Sequence, residues 1–139
     1  MTGHTKSPHH SLHGQLTNEV QNGVCIARDY DAFGRPIGYA LGSGGAGGSP
    51  AEPDATVAYA YDALGRFASV SAGGSGDVPR PLSTFAYTYL SGSDLVSGYM
   101  TDGFSRWVAY EPLRPLVSAV TNVFGSTRIS TFGYANDAA

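Results

Sequence analysis

One cysteine, Cys25, is all that the 139 residues contain. An intrachain disulfide is therefore excluded, and no covalent cross-link contributes to stability. Basic residues are scarce too: eight Lys and Arg stand against eleven Asp and Glu, for a net charge of −3. Nucleic-acid binding needs clustered positive charge, and these eight are scattered, so that class is set aside. The chain has no apolar run of transmembrane length. A spanning helix needs about 20 such residues, so no membrane insertion of that kind is expected. Residues 1–14 also lack the apolar stretch of a secretory leader. All four histidines, His4, His9, His10 and His13, fall in that stretch. No carboxylate or cysteine stands near enough to complete a metal set, so 1–14 reads as a solvated, flexible tail.

What is plentiful is glycine, at 19 residues, with eight prolines and 12% aromatic residues. That balance suits many turns and strands and disfavours long helices. A hydrophobic content of 42% is enough for a folded chain, and the length makes one domain the default, taken here as 15–139.

The organising stretch is Tyr61-Asp62-Ala63-Leu64-Gly65-Arg66. Before it, Val57, Tyr59 and Tyr61 alternate with Ala58 and Ala60, as a strand requires. After it, Phe67 to Ser71 reads as the return strand. Asp62 can accept a backbone N–H two residues on, and Gly65 can take a positive φ without steric cost, so the middle is a hairpin turn. Tyr30-Asp31-Ala32-Phe33-Gly34-Arg35 is a second copy. Weaker copies follow at Phe85–Tyr89, at Trp107–Arg114, where Glu111 replaces Asp and the Gly is gone, and at Phe132–Asp137. The anchoring residues Tyr30, Tyr61, Tyr89, Tyr110 and Tyr134 are spaced 31, 28, 21 and 24 apart. Spacings of that size indicate a repeat architecture.

Tyr-Asp-x-x-Gly-Arg at this spacing resembles the YD repeat of the RHS (rearrangement-hotspot) family, over roughly residues 24–139. The resemblance implies a long sheet of hairpins that winds into a hollow shell in large bacterial surface and secreted toxin proteins. It also implies that neighbouring repeats are partners, and that carbohydrate binding occurs in some members. Toxin-bearing members carry a cleavage segment with Asp-Pro and Gly after the repeats, and nothing like it follows Tyr134. The chain therefore reads as structural array without cargo. Its last residues read as a motif cut before its Gly and Arg, as expected of a piece of a larger array or of a truncated gene product.

Taken in order, Gln15–Gln21 is a weak strand. Asn22-Gly23 is the strongest hairpin signal, and Val24–Arg28 leads out of it, with Ile26, Arg28 and Tyr30 on one face. Arg35, Ile37, Tyr39 and Leu41 share a face. Residues 42–55 read as a glycine-rich flexible loop, with a shorter one from Gly73 to Pro81. Neither has the following helix and Lys of a phosphate cradle. Strands follow at Ser83–Leu90, Leu95–Met100, Ser105–Tyr110, Pro115–Thr121 and Thr127–Tyr134, with a turn at Asn122–Ser126. The fold expected is all-β: an antiparallel meander of about ten strands built from YD-type hairpins, a curved sheet or partial shell. Open edges of such a sheet invite self-association.

No catalytic constellation emerges. Asp29, Asp31, Asp62, Asp94, Glu111 and Asp137 all lie at or beside predicted turns, which accounts for them without a paired-carboxylate mechanism. No histidine follows residue 13, and no Gly-x-Ser-x-Gly elbow exists. Cys25 has no His neighbour and reads as a small core residue. The expected site list is empty: no catalytic, cofactor-binding or metal-binding residue. Two functions remain, a non-enzymatic wall segment and a carbohydrate-binding or adhesion module in which exposed Tyr and Trp107 on one sheet face stack on sugar rings. The regular spacing of these aromatics predicts core positions instead.

Overall fold

The computed structural model describes residues 7–44, 50–74 and 80–137. His4, residues 45–49 of the first glycine-rich loop and 75–79 of the second lie outside the described residues.

Eleven strands follow one another: β1 Ser7–His10, β2 Leu16–Gln21, β3 Val24–Tyr30, β4 Pro36–Gly44, β5 Pro50–Tyr61, β6 Phe67–Gly74, β7 Arg80–Tyr89, β8 Val96–Thr101, β9 Phe104–Glu111, β10 Arg114–Phe124 and β11 Thr127–Gly133. They form one antiparallel meander in which the sheet order is the chain order, β1 to β11. The described residues contain no helix. The fold is therefore the all-β meander that the alternation predicts.

Several boundaries differ from the sequence reading, among them Gly73–Gly74 and Arg80–Pro81, read as loop and found as strand. Ser7–His10 is a strand paired with β2, inside the stretch read as tail. Backbone hydrogen bonds to a neighbouring strand do not need the apolar alternation by which strands are recognised. Gly42–Gly44 and Pro50–Ala55 are strand rather than loop. Two register irregularities, at Leu41/Gly42 and Gly42/Gly44, take up the chain there, and such bulges are where a strand tolerates proline and glycine. Asn122–Phe124 extends β10, so the turn shrinks to Gly125 and Ser126.

Alternation decides which side chains are covered. Along β5, Val57, Tyr59 and Tyr61 are half-buried while Ala58 and Ala60 are exposed. The tight turns are as the residues require. Asn22 and Gly23 have φ of 55° and 78°, the pair of positive values that a type I′ hairpin needs. Asp102 and Gly103, at 37° and 81°, make the same turn between β8 and β9.

The expected aromatic core is absent. Among the described residues the buried hydrophobics are Cys25, at 0% exposure, and Val120, at 5%. No tyrosine, phenylalanine or tryptophan joins them. A sheet covered by no second layer can shield a side chain only with its lateral neighbours. Rings are then half-covered at best, and the contribution of about 2 kcal/mol for a fully buried ring is realised only in part.

The single domain read over 15–139 divides into two compact units. The described residues up to Ala60 with Val70–Ser83 form one, and Tyr61–Ser69 with those from Thr84 onward form the other. In a hairpin array each strand contacts its neighbours and little else, so no one centre holds the whole.

Candidate functional site

The motif turns follow odd-numbered strands, and two of them have the same geometry. At the first, Asp31 Oδ1 accepts the N–H groups of Phe33 and Arg35, both at 2.9 Å, and Oδ2 accepts Arg35 Nε at 2.7 Å. At the second, Asp62 Oδ1 accepts Leu64 and Arg66 N–H at 2.9 and 3.0 Å, and Oδ2 accepts Arg66 Nε at 2.8 Å. Backbone bonds close each loop: Gly34 N–H to Asp31 O at 2.9 Å, and Gly65 N–H to Asp62 O at 2.9 Å. The glycines sit at φ of 80° and 82°, where any Cβ is strained.

The carboxylates respond to this setting. Desolvation alone would raise the Asp31 carboxyl. The hydrogen bonds from Arg35, through backbone and side chain, and from Phe33 N–H outweigh it and hold the group below its ordinary range. Asp62 is lowered in the same way: desolvation opposes, and the bonds from Arg66 and Leu64 prevail. Glu111 is lowered chiefly by the hydrogen bond from Asn136, then by that from Arg114.

A third turn of this design escaped the sequence reading. Ser11 Oγ accepts the N–H groups of His13 and Gln15, both at 3.2 Å, and Gly14 N–H bonds to Ser11 O at 3.0 Å. Serine stands for aspartate and Gln15 for arginine. The one surviving signal was a glycine at the fourth position.

At Gln15, Arg66 and Arg114 the side chain that ends the motif reaches beyond its own turn, whereas the Arg35–Asp31 bond lies within one. Gln15 Nε2 donates to Gly34 O at 2.9 Å, in the following motif turn. Arg66 Nη1 donates to Ser93 O, and its guanidinium lies 4.1 Å from the centre of the Tyr89 ring. Arg114 Nη1 donates to Asp137 O at 2.9 Å. The tyrosines reach the other way. Tyr30 Oη donates to Leu16 O at 3.0 Å, Tyr89 Oη to Phe67 O at 2.8 Å and Tyr110 Oη to Val96 O at 2.8 Å. Each acceptor is the first residue of the strand that follows the preceding motif turn. The motif is thus a two-way latch between successive hairpins within each unit, with aspartate bracing the arginine.

In the second unit the register sorts the side chains into rows. Tyr87, Tyr99, Arg106, Asn122 and Ser130 are successive cross-strand partners on one face. Tyr99 there meets Phe85 and Phe104, each at 6.0 Å between ring centres. The next row, on the opposite face, is Thr88, Gly98, Trp107, Thr121 and Thr131. The sequence reading put exposed tyrosines and Trp107 on one face; Trp107 does not share a face with Tyr87 and Tyr99, because it follows Arg106 by one residue. A Cβ on Gly98 would fall 2.8 Å from Trp107 Cε3. The indole thus lies over the glycine backbone and is 42% exposed.

The carboxylates considered for catalysis do not converge. Asp31, Asp62 and Glu111 are each engaged in separate turns. Asp94 is solvent-exposed and 3.7 Å from Arg66. Asp29 is exposed on β3 and Asp137 lies beyond β11. A cleft of about 320 Å³ runs between two turns, lined by His13, Gln15, Asp31 and Phe33. The Asp31 carboxylate is already held there by Phe33 and Arg35. Among the described residues no three His, Cys, Asp or Glu side chains come together to hold a metal ion, and no helix is long and apolar enough to cross a membrane. A scan against protein-family models finds no match, and neither does a search of curated proteins.

Proposed function

We propose that the chain is a non-enzymatic structural segment: a run of YD-type hairpins forming part of the β-sheet wall of an RHS-like surface or secreted protein. The observation that supports this most directly is the latch. The residues that make the motif recognisable are spent on joining one hairpin to the next, with their polar groups bonded to each other or to main chain. A reaction centre would instead converge free polar groups on a pocket. Removing residues 31–61 joins Tyr30 to Asp62 and restores a complete motif. A repeat array survives this as a shorter sheet, so circular dichroism should still report a folded β protein. Loss of all β structure would overturn the reading.

A second reading, a carbohydrate-binding module, is favoured by Trp107. Its ring is a flat apolar platform set in a row of threonine hydroxyls, suited to the C–H face of a sugar. A glycan array with the native chain and Trp107→Ala decides it. Signal lost in the variant supports binding, and no signal above background removes the reading.

A further inference from the structure

The arginines that end motif turns each hold a carboxylate: Arg35 that of Asp31, Arg66 that of Asp62 and Arg114 that of Glu111. Arg28 on β3 holds Glu19. Arg106 on β9 has no ion pair and no side-chain hydrogen bond to a described residue. It is half-buried all the same, unlike the exposed Arg128. The repeat makes this placement unusual. Ile26, Val57 and Phe85 stand four residues before Tyr30, Tyr61 and Tyr89, and Arg106 stands four before Tyr110. Alternation puts that position on the face of its own tyrosine. In the other copies it is apolar, and here it carries a cation.

The residues around Arg106 leave its donors open. Its cross-strand partners are Tyr99 and Asn122, in a row that continues to Tyr87 and Ser130. Asp102 and Gly103 alone separate Thr101 from Phe104, so those two form a hydrogen-bonded pair. Counting on in twos, Arg106 and Asn122 are a non-hydrogen-bonded pair, the kind whose side chains come closest. Asn122 Nδ2 nevertheless donates away, to Ser130 Oγ at 2.9 Å, and its Oδ1 is buried with no hydrogen-bond partner. The guanidinium therefore does not use that oxygen. The hydroxyls of Tyr87 and Tyr99 also bond to no described residue, whereas those of Tyr30, Tyr89 and Tyr110 are spent on main-chain oxygens. The row thus holds a forked cation and two hydroxyl donors beside the rings of Phe85 and Phe104. It contains no carboxylate.

We propose that Arg106, with the hydroxyls of Tyr99 and Tyr87, binds an organic carboxylate on this face of the second unit. The guanidinium fork offers parallel N–H groups to both carboxylate oxygens. The hydroxyls supply further donors, and the rings favour an acid with an aromatic body. Such a cation is retained against stability, because an unpaired charge among half-buried rings is costly. Val57 is what the same position takes where no ligand is held. The site adds a ligand to the wall and does not depend on the latches.

Benzoate binding by the full chain, followed by NMR titration at constant ionic strength, tests it. The Arg106 Nε–H and Tyr99 ring signals should move together and saturate, while Arg128 Nε–H is unchanged. Arg106→Lys keeps the charge and loses the fork, so binding read at Tyr99 should weaken roughly tenfold. Arg106→Val should abolish binding and, without the acid, raise the melting temperature. The absence of a saturable shift, an equal response at Arg128, or a lysine variant that binds as well as the native chain would each overturn the proposal. So would a lower melting temperature for the valine variant, which would mean that the guanidinium is used within the fold.

Discussion

The turn at Asp62–Arg66 and the turn at Glu111–Arg114 do the same work with different parts. In the first, a short carboxylate must accept two backbone N–H groups and one guanidinium N–H, because the loop is long enough to leave amides open. In the second, the loop is only Pro112 and Leu113, and proline brings no N–H. Glu111 is longer by one methylene and spends its oxygens differently, one on Arg114 and one on Asn136 Nδ2 at 2.8 Å. Both arginines still reach on, Arg66 to Ser93 O and Arg114 to Asp137 O. What persists between the two is the braced arginine, not the sequence of the loop.

The sharpest way to break that comparison is at the glycine that only one turn has. Gly65→Val puts a branched side chain at a φ of 82° and should cost about 2–3 kcal/mol in denaturant unfolding. Leu113→Val, at the tip of the other turn, has no positive-φ requirement to violate and should be close to neutral. Next in size are the arginines. Arg66→Ala loses a carbonyl bond and the stacking on Tyr89, about 1–2 kcal/mol. Arg114→Ala loses its carbonyl bond and, with no ring contact to lose, should cost less. Equal costs would mean that the ring contact contributes nothing.

Acid should affect both turns in the same direction. The folded-state carboxyls of Asp62 and Glu111 lie below their ordinary values of 3.8 and 4.5. Their contribution is present above those values and is lost as pH falls through the lower folded values. Melting temperature should drop in that window, and Asp62→Asn with Glu111→Gln should flatten the drop. An unchanged profile would mean that the carboxylates do not brace the arginines. The smallest effects belong to the hydroxyls. Tyr89→Phe and Tyr110→Phe each remove one bond to a main-chain oxygen, about 1 kcal/mol or less. The Tyr110 change should cost more, because its bond is partly buried and that of Tyr89 is exposed.

Much of this fold was legible in the chain. Alternation at Val57–Tyr61 and the Asn22-Gly23 turn located strands and register directly, because both depend on local chemistry. The roles of Asp31 and Asp62 as turn acceptors were legible for the same reason. The direction of Arg66 was not legible. It lies over the ring of Tyr89, which belongs to the next hairpin, and no local pattern encodes that. Ser11–Gln15 was missed because serine and glutamine keep the hydrogen-bonding geometry while changing every letter but the glycine. The aromatics were taken for core since spacing records which face a side chain occupies and not whether anything lies above it.

Confining the latches to the turns after odd-numbered strands has a consequence for how such a chain can change over time. Inserting or deleting residues in the connections after even-numbered strands lengthens or shortens a hairpin without moving either end of a latch. The uneven tyrosine intervals of 31, 28, 21 and 24 residues record that freedom. Hairpin height can drift while the fastened margin stays in step.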